Sequence, residues 1–116
     1  MCDIGAFEAT SFVGVTSLTA TVRAGGVVSI SWQTTSEVGL AGFDVFRSAS
    51  PSGPWAKVNG ALIPAVGAPN AYSIADAPGA GTWYYRLETV DTYALRNSHG
   101  PVSVTIYRLL LPLVRR

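Results

Sequence analysis

The sequence predicts an all-β domain, built as a two-sheet antiparallel β-sandwich of about seven short strands. The clearest strand covers residues 81–91, where bulky apolar and polar residues alternate with a period of two. Trp83, Tyr85 and Leu87 are expected to face the core, and Tyr84 the opposite side. Further alternating segments are separated by turn residues, and no segment has the apolar spacing of an amphipathic helix. We therefore expect residues 81–91 to form a central strand of one sheet.

The first two strands are predicted as a hairpin around the turn at residues 24–26. Residues 15–23 and 27–34 both alternate between apolar and polar side chains. The side chains predicted to face inward are Thr16, Leu18, Ala20, Val22, Val28, Ile30 and Trp32.

The middle of the chain predicts one long strand and one short strand. Residues 42–48 form the long strand, with Phe43 and Val45 in the core. Residues 49–54 are dense in Pro, Ser and Gly, which predicts a turn. Residues 55–58 follow as a short strand, confined to a sheet edge because two prolines lie so close to it.

The remaining segments predict two further strands. Residues 59–70 read as a long connection rich in Gly and Pro, and residues 72–74 as a short strand. Residues 92–101 are expected to be a loop before a last strand at 102–107. One face of that last strand would carry Val102, Val104 and Ile106.

The chain is long enough for one hydrophobic core, at 116 residues. The predicted organisation is an N-terminal segment or linker at 1–14, the sandwich at 15–107 and an apolar tail at 108–116. Charged residues make up 13% of the sequence, against about 25% in an ordinary domain. Either a partner, a glycan or a neighbouring copy covers part of the surface, or Ser, Thr and Gly replace charge there.

Global features exclude several functions. The net charge is +1 without a basic stripe, so we expect no nucleic-acid binding. No apolar run approaches the about 20 residues of a membrane span. Cys2 is the sole cysteine, which rules out a disulfide within the chain. Residues 1–3 do not resemble a signal peptide, so a secreted form would be a mature product or a fragment.

Catalytic and metal-binding residues do not form a recognisable pattern. His99 is the single histidine, too few for a zinc site with one cysteine, and no triad can be assigned from its spacing. Arg86 and Glu88 are expected to form a surface ion pair. The other carboxylates lie scattered at strand ends and turns, without calcium-loop spacing. The scattered carboxylates are Asp44, Asp76 and Asp91. We therefore expect a protein that is not an enzyme and that has no metal or cofactor.

Aromatic side chains offer one possible ligand site. If exposed, Trp55, Tyr84 and Tyr93 could stack on sugar rings. Aromatic residues on sandwich strands also commonly pack on neighbouring side chains. Both interpretations remain open at the level of sequence.

Four segments resemble a bacterial fibronectin type III-like domain, within the immunoglobulin-like class of sandwiches. Ser-Ile-Ser-Trp at 29–32 resembles the second strand of that family, and Gly-Phe-Asp-Val-Phe-Arg-Ser at 42–48 its third. Trp-Tyr-Tyr-Arg-Leu at 83–87 resembles the sixth strand, and Gly-Pro-Val-Ser-Val-Thr at 100–105 the entry to the seventh. Trp83 stands where the family usually has its corner tyrosine, and an indole N–H can donate one hydrogen bond in its place.

Both ends of the chain resemble parts of bacterial surface proteins. Cys-Asp-Ile-Gly-Ala-Phe-Glu at 2–8 resembles the string that closes parallel β-helix surface proteins. Leu-Leu-Pro-Leu-Val at 110–114 is similar to the tail of C-terminal modules of cell-surface proteins. The resemblance implies an extracellular or cell-surface, non-enzymatic module.

The apolar tail is the basis for the functional hypothesis. Left exposed, the tail would be prone to aggregate through β-strand pairing. Its proline excludes a helix. It either folds back along its own domain or docks on an exposed strand edge of another copy, which would generate a filament. The predicted function is a structural module that self-assembles with other copies or neighbouring domains, and the alternative is a carbohydrate-binding or adhesive module. The tail consists of Leu109, Leu110, Leu111, Pro112, Leu113 and Val114.

Overall fold

A computed structural model of the protein describes residues 12–107. The string at 2–8 and the tail at 109–114 lie outside these described residues. Residues 12–107 form eight strands, and a short 3-10 turn, Ala24–Gly26, joins the first two. The strands are β1 (Phe12–Arg23), β2 (Val27–Val38), β3 (Leu40–Ser48), β4 (Ala56–Lys57), β5 (Ile63–Pro64), β6 (Asn70–Asp76), β7 (Gly81–Asp91) and β8 (Arg96–Ile106).

The strands form two antiparallel sheets, which confirms the predicted sandwich. The three-stranded sheet has the order β1-β2-β6. The five-stranded sheet has the order β4-β3-β7-β8, and β5 also pairs with β3. β7 lies between β3 and β8 and spans the same residues that the alternation predicts.

The core between the sheets is built around a group of aromatic rings. Trp32 of β2 stacks on Tyr72 of β6, with ring centroids 5.6 Å apart and planes within 9°. Phe43 of β3 lies against both rings, at 5.3 Å from Trp32 and 4.7 Å from Tyr72. Offset and tilted aromatic pairs of this kind stabilise a core beyond their buried area. The residues with no exposed surface are Val28, Ile30, Trp32, Phe43, Val45, Tyr85 and Leu87.

The predicted alternation in β1 is wrong over its first half. Val15, expected on the outer face, packs against the core, and Thr16, expected inside, is exposed. The register shifts between Thr16 and Thr19, and Ser17 has a φ of 50°. An irregularity of this kind changes which residues face the core, so Leu18 resumes the inward position after it.

The predicted loop at 92–101 is also wrong, because the connection between β7 and β8 spans residues 92–95 alone. Asp91 makes the short turn possible, since its Oδ1 accepts hydrogen bonds from the backbone N–H groups of Tyr93 and Leu95, at 2.8 and 2.9 Å. β8 therefore starts at Arg96 and pairs with β7 along most of its length. One bulge, at Gly100 and Pro101, interrupts this pairing opposite Arg86.

Candidate functional site

The outer face of the five-stranded sheet carries a charged cluster, defined here as Asp44, Lys57, Arg86, Glu88 and Arg96. Asp44 and Glu88 are direct cross-strand partners in β3 and β7, so their carboxylates lie side by side on the outer face. Arg96 of β8 donates from Nη1 to Asp44 Oδ2 at 2.9 Å and to Glu88 Oε1 at 3.0 Å. These bonds, to Asp44 first and then to Glu88, raise the pKa of Arg96. Asp44 itself is 1% exposed.

The loop after β4 completes the burial of Asp44. Asn59 donates from Nδ2 to Asp44 Oδ1 at 2.8 Å, and its own Oδ1 accepts the N–H of Val45 at 2.8 Å. Lys57 Nζ lies 3.9 Å from Asp44 Oδ1. The carboxylate thus ties this loop and β8 to β3, and its oxygen atoms are occupied by groups of the protein.

Arg86 links the charged cluster to an aromatic side chain of the turn before β4. It donates from Nη2 to Glu88 Oε2 at 3.0 Å, which is the ion pair expected from the sequence. Its guanidinium carbon lies 4.8 Å from the ring centroid of Trp55 and 5.2 Å from that of Phe46. Cation–π contacts at these distances hold the Trp55 ring against the sheet.

A second carboxylate connects the two sheets at one end of the sandwich. Asp76, at the end of β6, accepts from Arg47 Nη1 at 2.9 and 2.7 Å. The hydroxyl of Tyr85 in β7 donates to Asp76 Oδ2 at 2.8 Å. Burial, followed by the bond to Asp76, raises the pKa of Tyr85 far above its usual range, so the hydroxyl stays a donor. One side chain of the three-stranded sheet therefore binds two strands of the other sheet.

Trp83 extends this connection into the turn before β7. Its indole Nε1 donates to the backbone oxygen of Gly79 at 2.9 Å. Arg47 lies over its ring, at 5.2 Å from the centroid. A corner tyrosine bonds to backbone a few residues upstream in the same way, so the indole performs that role here.

A third carboxylate, Glu37, joins elements at the opposite end, and no pattern in the sequence indicates it. Glu37 accepts from the hydroxyls of Thr34 and Tyr72, the latter at 2.7 Å, and from the N–H of Gly67 at 2.8 Å. Desolvation would raise the pKa of Glu37, but the bonds from Thr34, Tyr72 and Gly67 together outweigh it and hold that pKa below its usual value. Two of these partners lie at least 30 residues away in sequence, so no local spacing could reveal the network.

The three aromatic residues expected to bind sugars do not share one platform. Trp55 is half-buried against Arg86, and Tyr84 is half-buried near the start of β7. Tyr93 is 66% exposed on the turn that follows the other end of β7. Asp91, at the end of β7, lies seven residues after Tyr84, a distance of about 23 Å along the strand. The structure therefore leaves Tyr93 far from Tyr84.

The carboxylates of residues 12–107 are already bonded to other groups of the protein. Glu37, Asp44, Asp76, Glu88 and Asp91 each accept at least one hydrogen bond or ion pair from the protein. Residues 12–107 contain no group of three His, Cys, Asp or Glu side chains arranged as metal ligands. Within the same residues, no helix is long and apolar enough to cross a membrane.

The edge of the three-stranded sheet at β6 is more regular than the other long sheet edges, β1 and β8. β6 pairs with β2 through seven successive residue pairs without a register shift, and it is the last strand of that sheet. β1, at the opposite edge, contains register shifts, and β8 contains the bulge with Pro101. Bulges and prolines hinder the addition of another strand, whereas an even edge presents a regular row of backbone donors and acceptors. β6 is therefore the long edge best suited to accept an extended segment.

The outer face beside this edge is neutral. Side chains of β1, β2 and β6 form rows across it, such as Thr19, Ser31 and Ser73, which are successive cross-strand partners. Several of these residues line a shallow depression. We call the surface the neutral face, and its residues are Thr16, Thr19, Thr21, Ser29, Ser31, Gln33, Ala71, Ser73 and Ala75.

Comparison with protein-family models and with curated proteins finds no match. Among solved structures, a Fn3-like protein from Clostridium thermocellum has a similar fold, with a TM-score of 0.60. The alignment covers 88% of this chain and 98% of that protein, at 19% sequence identity. The chain thus has the fold of a bacterial Fn3-like domain, in agreement with the resemblance found in the sequence.

Proposed function

We propose that this chain is a non-enzymatic structural module of a bacterial extracellular or cell-surface protein. It joins neighbouring copies head to tail, because the apolar tail of one copy adds a strand to the β6 edge of the next. The observation that carries this proposal is the even edge of β6, the last strand of the three-stranded sheet, beside the neutral face. The similarity of the tail and of the string at 2–8 to bacterial surface proteins supports the location.

The chemistry of the β6 edge suits the segment 109–114. The tail is six residues long and β6 is seven, so one could pair with the other along nearly its whole length. Pro112 is compatible with an added edge strand, provided that its missing N–H faces away from β6. Tyr72 and Ile74 of β6 are half-buried, and they offer apolar neighbours to leucine side chains on the inner side. The tail has no charge that would be buried by this pairing.

The symmetry of this contact would produce a filament. An edge and a tail are different surfaces, so the contact is heterologous and does not close on itself. Each added copy would present a new β6 edge and carry a new tail. The net charge of +1 keeps the electrostatic repulsion between successive copies small.

Negative-stain microscopy with light scattering tests this function on the intact chain and on a chain that ends at Tyr107. We expect filaments or concentration-dependent oligomers of the intact chain alone. The full-length variant Leu111→Asp should also remain monomeric, whereas Arg115→Ser, a matched control just beyond the tail, should still assemble. If the intact chain is a monomer at all concentrations, the assembly function is wrong. If the shortened chain unfolds, the tail belongs to its own domain.

Carbohydrate binding is the second candidate, and the position of Trp55 favours it. Arg86 covers one side of the indole at 4.8 Å and fixes the ring on the sheet surface. A fixed, partly exposed ring is suited to stacking on a sugar. Glycan pull-down with the intact chain and with Trp55→Ala and Tyr84→Ala separates the two functions. Retention that either substitution abolishes would support a glycan site, whereas the assembly function predicts no retention.

A further inference from the structure

Exposed apolar side chains gather at one end of the sandwich. Five of them lie there, four on three different connections between strands and one at the end of β2, whereas Val22 and Tyr107 lie at the opposite end. We call this surface the apolar pole, and its residues with their exposed fractions are Val38 (56%), Leu62 (39%), Val66 (65%), Tyr93 (66%) and Leu95 (64%).

Backbone hydrogen bonds hold these connections together. The N–H of Thr92, in the β7–β8 turn, bonds to the oxygen of Gly39 at 2.9 Å, which places this turn beside the end of β2. The N–H of Ala65 bonds to the oxygen of Ala41 at 3.1 Å, and the N–H of Gly67 bonds to Glu37. The β5–β6 connection thus meets the same end of β2. The apolar pole therefore rests on a fixed backbone.

The segment that precedes β1 enters the described fold at this pole. Phe12, the first residue of β1, is the cross-strand partner of Val38. Residues 1–11 contain Ile4 and Phe7, and Phe7 lies five residues before Phe12. An extended chain of five residues spans up to about 17 Å, so the ring of Phe7 can reach Val38 and the two connections that bond to the end of β2.

The tail of the same chain is too short to reach the pole. β8 starts at the pole and runs away from it for 11 residues to Ile106, a length of about 35 Å. From Tyr107 to Val114 the chain adds seven residues, which extend at most about 25 Å. The N-terminal segment is therefore the apolar part of this chain that can cover its own pole.

We propose that residues 1–11 dock on the apolar pole of the same chain, with Ile4 and Phe7 buried against Val38, Val66 and Leu95. Such docking removes apolar surface from water on both sides of the contact. It fixes the direction in which the chain enters the sandwich, and so makes this end a joint of defined geometry. The proposal does not depend on the assembly function, because it uses neither the tail nor the β6 edge.

Nuclear Overhauser effects between methyl groups and aromatic rings test the contact in the full-length chain. We expect cross-peaks from the Phe7 ring to the methyl groups of Val38, Val66 or Leu95. They should persist on dilution and be absent from isotope-filtered spectra of mixed labelled and unlabelled chains, which detect contacts between copies. The absence of cross-peaks from both Phe7 and Ile4 to the pole would overturn the proposal. Filtered cross-peaks from the tail leucines would assign the pole to a second copy instead.

Dye binding provides an independent measurement. In the full-length chain, Phe7→Ser should uncover the pole and raise the fluorescence of an added hydrophobic dye several-fold. Glu8→Ser, the matched change at the next position, should leave the fluorescence unchanged. Equal fluorescence of both variants and of the unchanged chain would contradict docking, provided that circular dichroism shows each protein to be folded.

Discussion

The outer faces of the two sheets differ in how they use polar groups. On the five-stranded sheet, Arg96 donates hydrogen bonds to Asp44 and Glu88, and Arg86 stacks on Trp55. On the three-stranded sheet, the neutral face carries small Ser, Thr and Ala side chains in regular rows. Both faces are built on antiparallel strands, so the difference comes from the side chains and not from the backbone.

This difference suggests that the charged cluster contributes to the stability of the domain, whereas the neutral face and the β6 edge are suited to association. The carboxylates of the charged cluster are bonded within the domain, and they would have to break existing bonds before they could bind a ligand. The neutral face and the β6 edge would lose little solvation energy on meeting another β-strand, because no charge has to be removed from water. We therefore expect substitutions in the charged cluster to affect folding, and substitutions at the β6 edge to affect assembly.

The largest expected effect is that of Asp44→Ala. This change leaves Asn59 and Arg96 without their carboxylate, and we expect a loss of about 2–3 kcal/mol in the free energy of unfolding, since the cations are partly solvated. Urea denaturation measures it. Ser31→Ala on the neutral face is the control, with an expected change within about 0.5 kcal/mol. Equal losses for the two variants would remove the distinction between the faces.

A smaller loss is expected for Asp76→Asn, which weakens the connection between the sheets. The amide keeps one acceptor but loses the ion pair with Arg47, which is partly exposed, so we expect a loss of about 1–2 kcal/mol. Tyr85→Phe removes one hydrogen bond of the same group and should cost about 1 kcal/mol. Because the three residues form one network, the double variant should lose less than the sum of the two. Strict additivity in urea denaturation would contradict this coupling.

Trp83→Phe tests the corner hydrogen bond. Phenylalanine keeps most of the ring packing but cannot donate to Gly79, so we expect a loss of about 1 kcal/mol in the free energy of unfolding. Trp55→Phe is the matched control on the charged face, where the indole makes a cation–π contact instead, and we expect about 0.5 kcal/mol. A larger loss at Trp55 than at Trp83 would reverse the assigned importance of the two indoles.

The smallest effect is a pH dependence that comes from Glu37. Its hydrogen bonds lower its pKa in the folded state below the ordinary value of 4.5. The stability that this provides is therefore fully present above the unfolded pKa and is lost as the pH falls through the folded pKa. Glu37→Gln should reduce the acid-induced loss of stability below about pH 4.5. Thermal unfolding from pH 7 to pH 3 measures it, and parallel curves for the two proteins would contradict the assignment.

The sequence predicts strands well where one period holds throughout. β7 and the first part of β2 have unbroken alternation, so their inward residues, such as Trp32 and Leu87, follow directly from the pattern. β1 breaks its alternation at Ser17, and a single residue with positive φ leaves no mark on composition. The turn after β7 is similarly hidden, because its length depends on the hydrogen bonds of one side chain, Asp91.

Apart from the Arg86–Glu88 ion pair, the contacts that define the candidate sites could not be predicted, because they join distant parts of the chain. Arg96 and Asp44 are 52 residues apart, and Glu37 and Tyr72 are 35 apart. The β6 edge is likewise a property of sheet order, since any short alternating segment could lie at the centre or at the edge. The residue types indicate which side chains could form ion pairs, but the order of the strands in the sheets decides which of these side chains come into contact.

The most direct test compares a lysine at each edge of the neutral face. Ser73 of β6 and Thr19 of β1 lie in one row across the three-stranded sheet, with Ser31 between them. Sedimentation velocity of full-length Ser73→Lys and Thr19→Lys would measure assembly at equal concentration. If the tail of one copy adds to β6, Ser73→Lys should be monomeric, because an edge lysine hinders strand addition, and Thr19→Lys should assemble as the unchanged chain does. Assembly of Ser73→Lys together with a monomeric Thr19→Lys would contradict the account and move the contact to β1.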